Sequence, residues 1–191
     1  MEHNFTNEGG IDYRYRFLKN IMGLWVIQEV RRNLENKYSF AELVDLARQH
    51  ADFSSIVDVD HDRFLKPENM IEEIKRYCIE TNQKIPQEVG EIAMCVFNSL
   101  AHCYKKAVSN LEEIFEKEFK RINIFGGGCQ NDLLNELVAK ITGKEVLAGP
   151  VEATAIGNIV AQLISKNVFK DLGEARQAIK ESFDIQVFKT N

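Results

Sequence analysis

The spacing of apolar residues predicts that the first part of the chain is helical. Apolar residues recur at intervals of three and four from about Ile11 to Leu34, as they do in an amphipathic helix. Gly23 lies inside this stretch, and we expect it to interrupt the helix without ending it, where another backbone or a ligand comes close. A shorter helix is predicted from about Ser39 to His50, because Ser39 and Glu42 have the spacing of a capping box.

Alternate aspartates follow in the stretch Asp58-Val-Asp-His-Asp62, and they suggest a calcium-binding loop at first sight. The sixth position of such a loop is Arg63 here instead of glycine, and the twelfth is Asn69 instead of glutamate, so the pattern excludes that loop. We interpret residues 53–66 as a solvated connection.

Two further helices are predicted to begin near Pro67 and near Pro86, since proline suits the first turn of a helix. The second of them is long and runs to about Lys117. The mixed pattern that would indicate a sheet begins only at residue 121.

From residue 121 the pattern predicts a βαβ unit. Arg121 to Phe125 alternates polar and apolar residues like a half-buried strand, and helical spacing follows from about Gln130 to Ile141. Gly143 suits the end of that helix, and Glu145 to Ala148 reads as a second strand. Such a unit implies parallel strands joined by a right-handed crossover.

The last part of the chain predicts two more helices and a terminal strand. Small residues at Ala153, Gly157 and Ala161 fit either close helix packing or the proximity of a ligand. A final helix is predicted to start at Asp171, and Ile185 to Phe188 to form a strand. A sheet this narrow has open edges, which predicts self-association through them.

Three glycines lie between the strand and the helix of the βαβ unit, at Gly126, Gly127 and Gly128. A ligand can lie directly on a backbone that has no side chains, and the helix start adds N–H donors and a positive dipole end. A P-loop needs a Gly-Lys pair followed by Ser or Thr, and the only Gly-Lys pair in the sequence, Gly143-Lys144, is followed by Glu145. The pattern is therefore not a P-loop. It is not the dinucleotide fingerprint either, because Asn131 stands at the third glycine position. Taken alone, it fits a ligand site and a tight connection equally well.

Composition narrows the class of partner. The 191 residues carry a net charge of −5 without a basic stripe, which disfavours nucleic acid, and no apolar run is long enough for a membrane span. With no signal peptide evident, we expect a cytoplasmic protein. The four cysteines, Cys78, Cys95, Cys103 and Cys129, do not have the spacing of metal ligands, and we expect them to be buried free thiols. Cys78 and Cys95 lie on consecutive predicted helices, so a disulfide between them stays open.

Several stretches, in order along the chain, resemble the FGGY carbohydrate kinases and, within them, the rhamnulokinases. They are Asn7-Glu-Gly-Gly10, Tyr15 to Trp25, Gly126 to Asn131, and Ala148 to Ala153 with Gly157-Asn158. The resemblance implies an α/β, helix-rich chain: the second domain of an actin-like, ribonuclease-H-like ATPase fold, with an incomplete, small and mostly parallel sheet. This domain would span residues 1–191, with 11–118 mostly helical and 119–191 forming the βαβα nucleotide-binding part.

The resemblance also implies an activity: transfer of the γ-phosphoryl group of ATP to the 1-hydroxyl of L-rhamnulose, in L-rhamnose catabolism. Mg²⁺ would be bound mainly through the nucleotide phosphates, with no metal ligand from this chain. The implied ATP-binding residues are Gln28, Gly126, Gly127, Gly128 and Asn131, and the implied sugar-binding residue is Asn20. On a single helix, Asn20 and Gln28 would lie about 12 Å apart along the axis, so one helix could contact both substrates.

The family pattern is incomplete in these residues. Its N-terminal sugar-binding domain, and the Gly-x-Asp segment whose aspartate removes the proton from the sugar hydroxyl, have no counterpart before Asn7. We therefore expect the catalytic base and most of the sugar site to lie upstream, and no kinase turnover by this chain alone. The alternatives are a non-catalytic regulatory or interaction module derived from the family, and a part of another FGGY sugar or polyol kinase.

Overall fold

The computed structural model describes residues 4–10 and 13–190, and the chain forms two compact units. The N-terminal unit is Met1–Glu118, and the C-terminal unit is Phe119–Asn191.

The N-terminal unit begins with an antiparallel hairpin. Strand β1, Thr6–Gly9, pairs with strand β2, Tyr15–Leu18, and Thr6 lies opposite Leu18. The sequence pattern did not predict this two-stranded sheet, and the expectation that a sheet begins only at residue 121 is wrong.

The long helix predicted from about Ile11 to Leu34 is also wrong, since helix α1 spans only Trp25–Asn33. Gly23 ends the irregular segment before α1 with a φ of +59°, which no α-helix contains. A side chain at Gly23 would meet only the carbonyl oxygen of Ile21, at 3.6 Å, so this glycine serves the backbone angle and not a close approach. Ile11 lies outside the described residues.

The other helices of the unit are α2, Phe40–Arg48, α3, Met70–Glu80, and α4, Val89–Phe115. The capping box of α2 is confirmed: the Ser39 hydroxyl accepts the Glu42 amide at 3.2 Å, and the Glu42 carboxylate accepts the Ser39 amide at 2.7 Å. Helices α3 and α4 begin after the prolines that we placed in their first turns, because Asn69 and Glu88 form the caps.

The core of the N-terminal unit lies where α4 packs against α2 and α1, and α1 against α3. Its largest fully buried side chains include Ile27 and Val30 of α1, Leu43 of α2, Ile74 of α3, and Met94 and Phe97 of α4. Gly90 marks the closest approach, since a Cβ atom there would lie 2.5 Å from the carbonyl oxygen of Leu46 and 2.3 Å from the ring of His50. The absence of a side chain at Gly90 therefore allows α2 and α4 to touch.

Residues 53–66 are only half solvated, which corrects our interpretation of them. Val57 and Val59 are 4% and 0% exposed, whereas Asp58 and Asp60 between and after them are exposed. A short 3-10 helix, Asp62–Phe64, then buries its phenylalanine. Among residues 4–10 and 13–190, no group of three His, Cys, Asp or Glu side chains could hold a metal ion.

The C-terminal unit confirms the βαβ prediction. Strand β3, Arg121–Ile124, runs parallel to β4, Glu145–Ala148, and helix α5, Asp132–Thr142, connects them. Strand β5, Gln186–Phe188, pairs antiparallel with β4, which gives the order β3-β4-β5. Gly143 ends α5 with a φ of +72°, as expected of a helix C-cap.

Helices α6, Ala153–Ser165, and α7, Leu172–Ser182, complete this unit, and Asp171 caps α7 as predicted. Close packing at Gly157 is not observed, because a Cβ atom there would meet no atom within 4 Å. The neighbouring Ile159 is 56% exposed. Gly157 is thus not explained by packing inside this unit, whereas Ala153 and Ala161 are partly buried.

All four cysteines are free, and Cys78, Cys95 and Cys129 are buried as predicted. The thiols of Cys78 and Cys95 are hydrogen-bonded to each other, and this contact, together with burial, raises the pKa of the Cys95 thiol. Cys103 is only partly buried. No helix within the described part of the chain is long and apolar enough to cross a bilayer.

Candidate functional site

The triglycine turn joins β3 to α5 through one turn of 3-10 helix, Gly127–Gln130. Gly126 precedes it with φ +75° and ψ −169°, a conformation that is essentially restricted to glycine. Two backbone hydrogen bonds brace the turn: the Cys129 amide donates to the Gly126 carbonyl at 3.0 Å, and the Asn131 amide donates to the Gly128 carbonyl at 3.2 Å. The turn therefore has a fixed shape before any ligand binds.

The outer side of this turn is open. A Cβ atom built on Gly126 or on Gly127 would meet no atom within 4 Å, and Gly127 is exposed. The backbone of Gly127 does not require glycine, since its φ lies outside the left-handed region, unlike that of Gly126. The missing side chain at Gly127 thus leaves the backbone of the turn uncovered on its outer side.

Two asparagines hold the turn from the side of α5. The side-chain oxygen of Asn131 accepts the Leu134 amide at 3.0 Å and so caps α5, which begins at Asp132 and not at Gln130 as predicted. The side chain of Asn135 is fully buried, and its Nδ2 donates to the Cys129 carbonyl at 2.9 Å. Burial also raises the pKa of the Cys129 thiol, which remains protonated.

Asn135 is a residue that the sequence analysis missed. The signal was present, because Asn135 is a polar residue next to Leu134 and three positions before Val138, within the apolar face of α5. A buried amide N–H at such a position needs an acceptor, and here the acceptor lies in the turn itself. The Oδ1 of Asn135 is buried and has no hydrogen-bond partner among the described residues.

A cavity of about 480 Å³ in the N-terminal unit contains Asn20 in its wall. Asn20 lies in the irregular segment between β2 and α1 and is exposed. The other residues that line this cavity are Asn4, Lys19, Ile21, Met22, Val57, Asp58, Val59, Asp60, Leu65, Cys103 and Lys106.

The polar lining of this cavity carries both signs of charge and two side-chain amides, those of Asn4 and Asn20, which can donate to and accept from hydroxyl groups. Burial, followed by the nearby charge of Asp60, raises the pKa of the Cys103 thiol to about 12. Cys103 is therefore a neutral donor at physiological pH. We had interpreted Asp58 and Asp60 as solvated loop residues, yet both face this cavity.

Gln28 lies on the exposed side of α1, between Ile27 and Glu29, which are both buried. The expectation that one helix carries both Asn20 and Gln28 is wrong, because α1 starts at Trp25, after Asn20. The two side chains are thus held by different local structures of the same unit. The triglycine turn and Asn131 belong to the C-terminal unit.

Comparison with known proteins identifies the relatives of this chain. The model of the FGGY family of carbohydrate kinases, C-terminal domain, matches residues 1–165. The chain is similar to the rhamnulokinase of Halalkalibacterium halodurans, with 58% identity over 97% of this chain and 40% of that protein. It is also similar to the rhamnulokinases of Oceanobacillus iheyensis, with 58% identity over 98% of this chain and 40% of that protein, and of Bacillus subtilis, with 48% identity over 98% and 39%. The chain spans about 40% of the length of these curated relatives.

Proposed function

Because the chain belongs to the FGGY family of carbohydrate kinases, we propose that it is the ATP-side portion of a rhamnulokinase. The complete protein is then a phosphotransferase that acts in the cytoplasm and transfers the γ-phosphoryl group of ATP to the 1-hydroxyl of L-rhamnulose. The similarity to rhamnulokinases over nearly the whole chain supports this choice of sugar.

In this proposal, Gly126, Gly127 and Gly128 receive the adenosine end of ATP on their backbone, and Asn131 and Gln28 contact the nucleotide. The observation that carries the nucleotide site is the open space at Gly127, where the backbone itself does not demand a glycine. The bracing bonds within the turn support it further, because a site that is ordered beforehand loses less entropy when a ligand binds.

The remaining parts of the site follow from the same proposal. Asn20 contacts the sugar from the wall of its cavity, while the catalytic base and most of the sugar site lie outside this chain. ATP supplies the phosphoryl group, and Mg²⁺ is carried by its phosphates. Because phosphoryl transfer depends on positioning and charge neutralisation from both sides, the chain alone is inactive.

The test uses the joined protein, in which the part of the Halalkalibacterium halodurans rhamnulokinase that this chain does not match precedes the chain. We expect the joined protein to phosphorylate L-rhamnulose and the chain alone to give no turnover. In the joined protein, Gly127→Val should weaken ATP·Mg²⁺ binding at least about tenfold, or about 1.4 kcal/mol, since the valine would occupy the space that this proposal gives to the adenosine. Calorimetry measures this affinity.

Gly9→Val is the matched control, because Gly9 also has open space around it and a φ outside the left-handed region, but lies in the exposed strand β1. Its affinity for ATP should equal that of the unmodified protein. Equal ATP affinities for Gly127→Val and Gly9→Val would refute the nucleotide site, and turnover by the chain alone would refute the expected need for the upstream part.

A further inference from the structure

We propose that Asp60 is a positioning residue, which holds the segment that carries Asn20 against helix α4 and so sets the sugar-facing wall of the cavity. This inference rests on the proposed function, since it assigns a role to Asp60 through Asn20. Asp60 is the second aspartate of the stretch that we first interpreted as solvated.

The carboxylate of Asp60 joins two separate parts of the N-terminal unit. One oxygen accepts the backbone amide of Met22 at 3.0 Å, and the other accepts the thiol of Cys103 on α4 at 3.4 Å. Met22 is two residues after Asn20 and immediately before Gly23. Asp60 therefore links the Asn20 segment to the long helix.

The segment that carries Asn20 lacks regular secondary structure of its own. Strand β2 ends at Leu18, and α1 does not begin until Trp25. Residues 19–22 are thus outside both the hairpin ladder and the helix, so a single side-chain bond to this segment has a large share in fixing it.

Asp60 itself is held firmly. The Val57 amide donates to the buried hydroxyl of Ser99 at 2.8 Å, and Val59 is fully buried. Ser99 and Cys103 are four residues apart on α4, so they lie on the same face of the helix and anchor the two ends of segment 57–60. The Asp60 amide also donates to the Asp58 carboxylate at 3.2 Å.

Valines and aspartates alternate from Val57 to Asp60. Val57 and Val59 are buried and Asp58 and Asp60 are exposed, and all four residues line the cavity. The cavity wall is therefore built on the hydrophobic core through these valines.

The test measures sugar kinetics in the joined protein. Asp60→Ala should raise the KM for L-rhamnulose about tenfold, the size expected from losing a hydrogen bond to a charged group, with little change in kcat or in the KM for ATP. Asp60→Asn keeps an oxygen for the Met22 amide, and we expect it to restore most of the loss. Asp62→Ala is the control, because it removes the same charge two residues further on, outside the cavity lining.

A double substitution tests whether Asp60 acts through Asn20. Asn20→Ala should raise the KM for L-rhamnulose, and adding Asp60→Ala to it should then have no further effect. Additive effects of the two substitutions, or an unchanged sugar KM in Asp60→Ala, would overturn the inference. If Asn20→Ala leaves the sugar KM unchanged, the proposed sugar contact fails and the positioning role fails with it.

Hydrogen exchange of the Met22 amide tests its bond to Asp60, called the tether below, without a measurement of turnover. The exchange rate should rise at least about tenfold in Asp60→Ala and stay unchanged in Asp62→Ala, since only Asp60 accepts this amide. An unchanged rate in Asp60→Ala would overturn the inference even in an active enzyme. Lack of turnover by the joined protein together with faster exchange would refute the proposed function and leave the tether standing.

Discussion

Gly90 and Gly127 show the same amino acid in opposite surroundings. At Gly90, in the N-terminal unit, an added Cβ atom would lie 2.5 Å from the backbone of Leu46, so helix α2 occupies the space that a side chain would need. At Gly127, in the C-terminal unit, an added Cβ atom would meet no atom within 4 Å. One glycine serves packing, and the other leaves room that the chain itself does not use.

The difference shows how a glycine within a motif can be interpreted. Glycine is required by a positive φ, by a close neighbour or by a ligand, and the structure allows the first two to be checked directly. Gly126 needs its positive φ and Gly90 its close neighbour, but neither reason applies to Gly127. Neither backbone strain nor packing therefore accounts for Gly127, which leaves its role to the proposed nucleotide site.

The largest expected effect tests the packed side of this comparison. Gly90→Ala should lower the free energy of unfolding by about 1–3 kcal/mol, because the new methyl group must displace the backbone of α2. Thermal unfolding of the chain measures the loss. Gly157→Ala is the matched control in another helix: its surroundings are open, so a gain of up to about 1 kcal/mol from helix propensity is expected. A neutral Gly90→Ala would show that α2 and α4 do not need this close contact.

The sequence predicted the C-terminal unit well, because each of its signals is local. The alternation of Arg121 to Phe125, the helical spacing before Gly143 and the cap at Asp171 each predicted an element that the structure contains. The start of the chain was predicted wrongly for a related reason. The pattern around Tyr15 and Phe17 fits a strand as well as a helix, and the pairing of β2 with β1, which the spacing does not display, decides between them.

The candidate site was predictable where it depends on the backbone, and not where it depends on distant contacts. The three glycines of the turn were visible as a motif. Asn135 was visible as a polar residue within the apolar face of α5, although the acceptor of its Nδ2 was not. The bond from the Met22 amide to Asp60 joins residues 38 positions apart, and no pattern of spacing contains that information.

A smaller effect is expected at Asn131, which caps α5 next to the open turn at Gly127. Asn131→Ala should lower the free energy of unfolding by about 1 kcal/mol, because the Leu134 amide loses its partner. Asn131→Asp keeps the cap and should retain full stability, yet in the joined protein its charge should weaken ATP binding about fivefold through repulsion of about 1 kcal/mol. Thermal unfolding and calorimetry measure the two quantities.

Ser39→Ala provides the control for Asn131→Ala, since Ser39 caps α2 in the other unit. It should cost a similar amount of stability and leave the affinity for ATP unchanged. Asn131→Asp with undiminished ATP affinity would show that Asn131 is only a helix cap.

The smallest expected effect compares one ion pair from each unit. Lys84 donates to Glu91 at 2.6 Å, and this bond, followed by the Gln87 amide, holds the pKa of Glu91 below its ordinary 4.5. Arg121 lowers the pKa of Glu145 in the same way. The side chain of Glu91 is 10% exposed and that of Glu145 is 23% exposed, so solvent screens the second pair more.

A carboxylate with a lowered folded-state pKa stabilises the folded chain above its unfolded pKa, and that contribution is lost as the pH falls through the folded pKa. Glu91→Gln should therefore lower the Tm at neutral pH, and the difference from the unmodified chain should shrink as the pH falls below the ordinary value of 4.5. Glu145→Gln should show the same trend with a smaller difference. Melting curves between about pH 7 and pH 3 measure both trends. A Tm difference for Glu91→Gln that stays constant with pH would mean that lost packing, and not charge, causes it. A larger Tm difference for Glu145→Gln than for Glu91→Gln would show that the more exposed ion pair is the more stabilising one.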